Sequence, residues 1–496
     1  MLRKPWLRVP VTTLGPAEAN TGQVETSVVP DRIVTFLDQG SFAELRGAAA
    51  HRATAFGMGG RVLPGDGVVT GTGTVDGRPV CVFAQDRAVL GGSLGEVHAT
   101  KIERIMELAS SMRCPVVGIV DSSGARLQEG LSAVDGYGRI LRLNAKLSGR
   151  VPQVGVIAGA CAGGAVYSAG LMDVIIMAEA SAMFLTGPRV VRSVTAEDVS
   201  TAELGGTNVH ARISGVAHLV AGDVTAALAS ARAVLSYLPS SCWHEPPGRE
   251  PAAAVGMPDL PVNLRLPYDV RGAVRGIVDS GSFLELQPIF AANMVTGLAR
   301  LAGQSVGVLA NQPMVMGGAL DANAAEKSSR FVRMCDAFGI PLLVLVDTPG
   351  FLPGLRQEHA GIIRRGAKLL YTFSEASVPR VSVILRKAFG GGYLVMNSRS
   401  LGADAVFAFP NAQLAAVGAE GAVDLLCRRE LADDPSRREG LIKRYRDEVM
   451  DLRLACERML VDEVITPERV RDRVATTFAM LRRGQAPRFR HDNMPQ

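Results

Sequence analysis

The segment Pro115-Val-Val-Gly-Ile-Val-Asp-Ser-Ser-Gly-Ala-Arg-Leu-Gln-Glu-Gly130 has the pattern of a buried strand that ends in an acidic, glycine-containing turn. The pattern returns 226 positions later as Pro341-Leu-Leu-Val-Leu-Val-Asp-Thr-Pro-Gly-Phe-Leu-Pro-Gly354. Downstream, Ile157-Ala-Gly-Ala-Cys-Ala-Gly-Gly164 is matched by Ile384-Leu-Arg-Lys-Ala-Phe-Gly-Gly391 at a spacing of 227. A copy of this length far exceeds the roughly 20 to 50 residues of a solenoid repeat. We therefore predict two homologous domains, residues 1–250 and 251–496.

Short apolar runs on either side of these turns predict an α/β fold. Pro115 to Asp121, Pro152 to Ile157 and Asp173 to Ala178 are bounded by turns and alternate with helical patterns. This alternation is typical of strands packed against helices. The proline-rich stretch from Ser240 to Pro251 is the predicted linker. The tail from Gln485 to Pro495 is expected to be exposed and extended.

The overall composition is that of a well-cored globular protein, with 47% hydrophobic and 20% charged residues among 496. A net charge of +5 is mild at this length and gives no ground for nucleic-acid binding. No apolar run approaches the roughly 20 residues of a membrane-spanning helix. The seven cysteines are scattered and never form a C-x-x-C pair. This favours reduced thiols in the cytoplasm and no metal site.

Each copy combines a strand-end turn with a glycine run that begins a helix. The N–H groups at a helix start are unpaired and partly positive, and glycine lets a ligand approach them. Two donors aimed at one carbonyl oxygen form an oxyanion hole, worth roughly 3 kcal/mol per donor. The predicted donors are Gly163 and Gly164, facing Gly124-Ala125, and Gly391 and Gly392, facing Gly350-Phe351. Because Gly390 adds a third glycine to the second run, its alignment with the first run can shift by one residue.

Other readings of these motifs remain at this stage. The glycines could serve only the close packing of helix on strand. A phosphate loop is a rival functional interpretation, but no phosphate-loop motif follows a strand in the required context. Gly91-Gly-Ser-Leu-Gly95 has the letters of a nucleophile elbow, but the strand before it is short, which favours a plain turn. His98, His210, His218 and His359 are isolated, and we interpret them as structural. A chain without an evident side-chain base favours chemistry in which a substrate supplies the base.

These residues resemble an acyl-CoA carboxylase β subunit, the carboxyltransferase component of propionyl-CoA-type carboxylases, which is similar to the transcarboxylase core subunit. The resemblance covers about residues 31–496. It rests on motifs such as Gly65-Asp-Gly-Val-Val-Thr, Gly124-Ala-Arg-Leu-Gln-Glu-Gly130, Cys161-Ala-Gly-Gly-Ala-Val-Tyr-Ser168, Asn311-Gln-Pro and Gly418-Ala-Glu-Gly-Ala-Val423. It implies a duplicated crotonase-like (ββα spiral) fold, assembled as a homohexamer.

The resemblance also implies roles for the two domains. The N-terminal domain would bind the acyl-CoA, holding its thioester as an enolate at Gly163 and Gly164. The C-terminal domain would hold the ureido oxygen of carboxybiotin at Gly391 and Gly392. Further implied contacts are Gly124, Ala125, Arg126 and Ala162 for acyl-CoA, and Gly350, Phe351, Phe389 and Gly390 for biotin. Leu394 is the implied specificity position, where propionyl-specific relatives tend to have aspartate.

The chain offers no biotinylation motif, since none of its seven lysines lies in a Met-Lys-Met context. A separate biotinylated α subunit is therefore implied. Two alternatives stay open: a decarboxylase or transcarboxylase subunit of the same fold, and a non-catalytic CoA-binding scaffold. We also expect Gly164→Val to abolish turnover without unfolding, because a branched side chain would block the thioester.

Overall fold

The computed structural model describes residues 27–483 and 491–494, which build two eight-stranded sheets. The first sheet comprises β1 (Ala43–Leu45), β2 (Val68–Val75), β3 (Arg78–Gln85), β4 (Val116–Ser122), β5 (Gln153–Ala162), β6 (Val174–Ala178), β7 (Ala182–Phe184) and β8 (Leu219–Ala221). The second comprises β9 (Leu284–Leu286), β10 (Met294–Leu301), β11 (Gln304–Asn311), β12 (Leu342–Thr348), β13 (Arg380–Phe389), β14 (Ala405–Ala408), β15 (Gln413–Ala415) and β16 (Glu463–Val464).

The two sheets have the same topology, strand for strand. The first runs β1-β2-β3-β4-β5-β6-β8 with β7 beside β5, and the second runs β9-β10-β11-β12-β13-β14-β16 with β15 beside β13. In each sheet the first three strands are antiparallel and the others are parallel. The identical order shows that the sequence repeat is a repeat of structure.

Helices cover both sheets. Those before the second sheet are α1 (Val29–Phe36), α2 (Glu96–Met112), α3 (Leu131–Leu147), α4 (Gly164–Gly170), α5 (Pro188–Thr195), α6 (Thr201–Gly205), α7 (Val224–Tyr237) and α8 (Val270–Ile277). Those after it begins are α9 (Ala322–Ala337), α10 (Leu355–His359), α11 (Ile362–Glu375), α12 (Gly390–Val395), α13 (Ala419–Leu426), α14 (Arg428–Asp433), α15 (Arg438–Val449), α16 (Leu452–Glu457) and α17 (Val470–Arg483). Every residue of β4 and β12 is buried, as expected for parallel strands covered on both faces.

The two domains share a hydrophobic core. One cluster of buried side chains includes Leu228 and Leu235 of α7 together with Leu286 and Phe331 from the second domain. The Tyr237 hydroxyl also donates to the Ser282 carbonyl across this contact, at 2.5 Å. No helix or strand lies between α7 and α8, a stretch that is described throughout. The predicted boundary at residue 250 falls in this stretch and stays a prediction.

Among the last described residues, Asp492 and Met494 are exposed, as expected of the tail, whereas Asn493 packs between the domains against that expectation. Asn493 is buried, and its side chain donates to Asp173 of the first domain at 2.8 Å. On the other side, Arg333 of α9 donates to the Asp492 carbonyl at 3.1 Å. Residues 485–490 and 495 of that predicted segment lie outside the described residues. Polar contacts that a local pattern cannot show hold residues 492 and 493 in place.

Two further observations bear on function. Within residues 27–483 and 491–494, no helix has the length and apolarity to span a membrane. The same residues contain no group of three or more His, Cys, Asp or Glu side chains placed to hold a metal ion. All seven cysteines are free thiols.

Candidate active site

The turn after β4 directs one backbone N–H toward the glycine run. Leu94 donates its N–H to the Gly124 carbonyl at 2.8 Å, and its carbonyl accepts the Arg126 N–H at 2.9 Å. Because successive peptide groups of an extended chain point to opposite sides, the Ala125 N–H faces away from Leu94. It therefore points toward the end of β5, where α4 begins. Sequence reasoning assigned Ala125 a contact with acyl-CoA but not a donor role.

The turn after β12 repeats this arrangement. Leu320 donates to the Gly350 carbonyl at 3.0 Å and accepts the Leu352 N–H at 2.8 Å. The Phe351 N–H is thereby turned toward the start of α12. Gly124 and Gly350 both have positive φ, of 103° and 126°, a conformation that favours glycine. The two turns are the same structure in two copies.

The glycine runs lie directly opposite these turns. A Cβ added at Gly163 would lie 3.7 Å from the Gly124 Cα, and one added at Gly392 would lie 2.6 Å from the Gly350 Cα. The close approach of helix to turn therefore requires glycine at residue 392. The structure brings each predicted glycine run to its predicted turn.

The strand register settles which glycines correspond. β7 pairs Phe184 with Ala162, and β15 pairs Ala415 with Phe389. Ala162 and Phe389 are therefore equivalent, which makes Gly390 the counterpart of Gly163. The two glycines also share a positive φ, of 55° and 62°. Of the two pairings left open, the register selects the one at a spacing of 227 residues: Gly391 matches Gly164, and Gly392 lies one position further into α12.

The first glycine of the first run has its N–H occupied. Gly163 donates to the Phe184 carbonyl at 3.3 Å, whereas Gly164 is the first residue of α4. The N–H groups of a first helical turn have no partner inside the helix. Gly164, rather than Gly163, is therefore placed to donate together with Ala125.

The side-chain direction at Gly164 overturns the reasoning behind the Gly164→Val expectation. A Cβ there would lie 2.5 to 2.8 Å from ring atoms of the buried Tyr137. A valine would collide with the core before it reached a ligand. At Gly391 the nearest atom to an added Cβ is a ring carbon of Phe351 at 3.6 Å, an ordinary contact. A side chain at Gly164 would therefore collide with the core, whereas a methyl group at Gly391 would make only an ordinary contact.

Arg126 occupies a different place from the one predicted. Its side chain is fully buried, with Nη1 paired to Asp66 at 2.5 Å and to Glu129 at 2.8 Å. Nη2 donates to the Ser93 carbonyl at 2.9 Å. Burial raises the pKa of Asp66, although Arg126 beside it acts in the opposite direction. The guanidinium anchors the turn from inside, so the predicted acyl-CoA contact of this side chain is corrected to a supporting role.

The Arg126 cluster also accounts for two residues that sequence reasoning treated separately. The hydroxyl of Ser93, the central residue of the elbow-like motif, lies 3.4 Å from the Arg126 Nε and is buried. His98 is buried beside Asp66, whose carboxylate accepts the His98 backbone N–H at 2.7 Å. Burial lowers the pKa of His98 to about 3. Both residues are structural, as the sequence favoured.

A polar cavity of about 650 Å³ opens beside the second hole. Phe389 and Gln413 lie on its wall, and Arg446 of α15 pairs with Glu420 of α13 across it at 2.8 Å. The complete lining comprises Val262, Asn263, Leu264, Arg265, Lys387, Phe389, Gln413, Glu420 and Arg446. Leu394 lies on α12 and is 43% exposed. The cavity thus borders the second glycine run through Phe389.

Comparison with known proteins defines the class of this fold and site. The transcarboxylase 12S structure, described as a hexamer assembly with methylmalonyl-coenzyme A and methylmalonic acid bound, superposes with a TM-score of 0.90. It is 46% identical in sequence, and the match covers 94% of this chain and 92% of that chain. This confirms the predicted α/β class and the duplicated crotonase-like fold.

Residues 24–494 match the carboxyl transferase domain, and the chain belongs to this family. The carboxyltransferase subunit of propionyl-CoA carboxylase from Haloferax mediterranei is 49% identical over 480 residues, covering 94% of this chain and 92% of that protein. Methylmalonyl-CoA decarboxylase subunit alpha from Veillonella parvula is 46% identical over 475 residues, with 94% and 92% covered. The chain is a carboxyltransferase of the biotin-dependent type, as the sequence predicted.

Proposed function

We propose that this chain is the carboxyltransferase component of an acyl-CoA carboxylase, and that it transfers CO2 from carboxybiotin to the α-carbon of a short-chain acyl-CoA. The observation that carries the proposal is the presence of two equivalent backbone sites in one chain. Carboxyl transfer has two carbonyl oxygens to stabilise, one on the thioester and one on the biotin ring. A single hole would serve an ordinary enolate reaction, whereas two match this chemistry.

The first hole would hold the thioester oxygen. The Ala125 and Gly164 N–H groups would face the space between β4 and α4, where they would stabilise the negative charge of the enolate. Ala162 and Gly124 supply backbone next to this space, and glycine leaves it open. The contribution of each donor is roughly 3 kcal/mol of transition-state stabilisation.

The second hole would hold the ureido oxygen of biotin, with Phe351 and Gly391 as donors. Gly350 and Gly390 shape the hole, and Phe389 borders the polar cavity beside it. Carboxybiotin, when bound there, supplies CO2 and a ring nitrogen that takes the α-proton. No side-chain base is required of the chain, which agrees with His98 being buried in the Arg126 cluster.

A partner is part of this proposal. The biotin would be carried by a biotinylated α subunit, because the chain has no biotinylation motif. A homohexamer, proposed from the hexameric transcarboxylase 12S neighbour, would bring first and second holes of different subunits together. Exposed leucines near the first turn, Leu127 and Leu131, are 87% and 84% exposed and would be covered by such contacts. A cytoplasmic location stays a prediction.

The experiment uses purified full chain, free biotin and methylmalonyl-CoA or malonyl-CoA. Biotin-dependent loss of the carboxylate is expected, measured as release of labelled CO2, and CoA thioester without biotin is the control. If none of the short-chain substrates lost its carboxylate faster with biotin than without, the proposed function would be wrong. That result would favour the non-catalytic scaffold, provided that the chain still bound the CoA thioester.

The relative from Veillonella parvula supports a second candidate, a decarboxylase subunit. The same two holes would stabilise the same enolate in either direction, so the holes alone do not distinguish the two candidates. Reconstitution with a biotinylated biotin carboxylase and ATP should give net carboxylation of propionyl-CoA. Net decarboxylation under these conditions would favour the second candidate.

A further inference from the structure

Both candidate holes are built on the same irregularity in strand pairing. β4 and β5 pair regularly up to Val120 and Ile157, and pairing resumes at Ser122 and Cys161. Between these two pairs the chain advances two residues along β4 and four residues along β5. Bulges of this kind re-aim a strand, and they are common beside active sites. Here the bulge directs β5 into the glycine run that begins α4.

The second domain has the same bulge at the equivalent place. β12 and β13 pair up to Val346 and Ile384, and pairing resumes at Thr348 and Ala388. The extra residues, 385–387, lie one residue before Phe389 and the second glycine run. A bulged backbone N–H loses its ladder partner and, when buried, needs another acceptor.

A buried carboxylate supplies that acceptor in both domains. Asp121 Oδ1 accepts the Ala160 N–H at 3.3 Å, and Asp347 Oδ1 accepts the Lys387 N–H at 3.3 Å. Ala160 and Lys387 are equivalent, because they pair with the first residues of β7 and β15. Both aspartates are buried, and each is the residue on its strand that lies inside the bulge.

The counter-ions differ between the domains although the carboxylate does not. Asp121 is approached by Arg32 at 3.3 Å and by Arg87 at 3.8 Å, two arginines from outside the bulge. Its carboxylate lies across Gly159, where an added Cβ would be 2.3 Å from Oδ1. At the position of Gly159 the second domain has Arg386, and its Nε lies 2.7 Å from Asp347 Oδ2. The two copies therefore share the hydrogen bond that a bulged backbone N–H donates to the aspartate carboxylate.

We propose that Asp121 and Asp347 are positioning residues, which hold the two bulges and so set where the Gly164 and Gly391 N–H groups face. Neither carboxylate is placed at the hole itself. Each connects the strand that carries one donor, Ala125 or Phe351, to the strand that leads to the other. The proposal rests on the proposed carboxyltransferase function. A donor displaced by about 1 Å can cost on the order of 100-fold in rate.

The test compares Asp121→Asn with Asp121→Glu in the full chain. Asparagine keeps an acceptor oxygen at the same distance and loses the charge, whereas glutamate keeps the charge and moves the acceptor. If position matters, the asparagine variant keeps kcat within roughly threefold and the glutamate variant loses roughly 10- to 100-fold. A role as an ion pair alone predicts the reverse order, and that order would overturn the proposal.

A second readout separates the two halves of the reaction. Biotin-dependent decarboxylation of methylmalonyl-CoA gives kcat and a KM for each ligand. Asp121→Glu should leave the KM for biotin unchanged, and Asp347→Glu should leave the KM for the CoA thioester unchanged. The control is Arg87→Ala, which removes an arginine that is 62% exposed at its side chain and should keep kcat within twofold.

The outcomes separate this inference from the function on which it rests. An inactive wild type would refute the proposed function and this inference together. An active wild type with equally active Asn and Glu variants would refute only the positioning role. If both variants lost activity in proportion to a lowered thermal midpoint, the aspartates would be ordinary stabilising residues and the inference would be wrong.

Discussion

Arg126→Met tests whether Arg126 contacts acyl-CoA, as the resemblance implies, or supports the turn after β4 from inside, as its buried ion pairs indicate. The side chains of Arg126 and Asp66 have no exposed surface, and that of Glu129 is 5% exposed. Replacing the guanidinium with an apolar group would leave two buried carboxylates without their counter-ion. Removal of one partner from a buried charge pair costs about 3–5 kcal/mol. For a domain of this size, that lowers the thermal midpoint by roughly 6–20 °C.

The assay is thermal unfolding followed by circular dichroism, with steady-state kinetics at a temperature where the variant is folded. We expect a large drop in midpoint and a modest change in the KM for the acyl-CoA. A matched control is Arg104→Met, whose ion pair with Glu107 is on the surface and contributes little. If Arg126→Met kept its midpoint and raised the KM at least tenfold, the guanidinium would be a ligand for acyl-CoA, and the supporting role would be refuted.

Three further predictions follow from single positions. Gly164→Ala should lower the thermal midpoint, because its methyl group meets the Tyr137 ring and overpacking costs about 1–3 kcal/mol. Gly391→Ala should leave the thermal midpoint unchanged, because an added methyl group there makes only an ordinary contact. An equal drop in both variants would contradict this geometry. His98 is neutral when folded, since its pKa is about 3 against an ordinary 6.5, so the unfolded chain takes up a proton that the folded chain excludes. The free energy of unfolding should therefore fall by about 2 kcal/mol between pH 7 and 5 from this residue, and urea titrations of His98→Gln should show a smaller fall. Leu394→Asp should reduce kcat/KM for butyryl-CoA relative to propionyl-CoA by roughly tenfold, and an unchanged ratio would remove Leu394 as a specificity position.

Much of the architecture was accessible because it depends on short-range patterns. The strand ending at Asp121 and its copy ending at Asp347 were recognisable from an apolar run followed by a glycine turn. The glycine runs at the starts of α4 and α12 were recognisable for the same reason, since only glycine permits so close an approach. The duplication then gave the fold class, because two copies of one pattern imply two copies of one sheet.

The sequence by itself thus determined the duplication, the α/β class and the neighbourhood of both holes. Only the tertiary structure decided which atoms do what: which of the two open pairings of the glycine runs is real, that Arg126 is buried beside Asp66, and that a side chain at Gly164 would meet Tyr137. The physical reason is that these outcomes depend on hydrogen-bond register between strands and on contacts between segments far apart in the chain. Asp66 and Arg126 are 60 positions apart, and nothing in either local segment specifies that the two charges share one buried site.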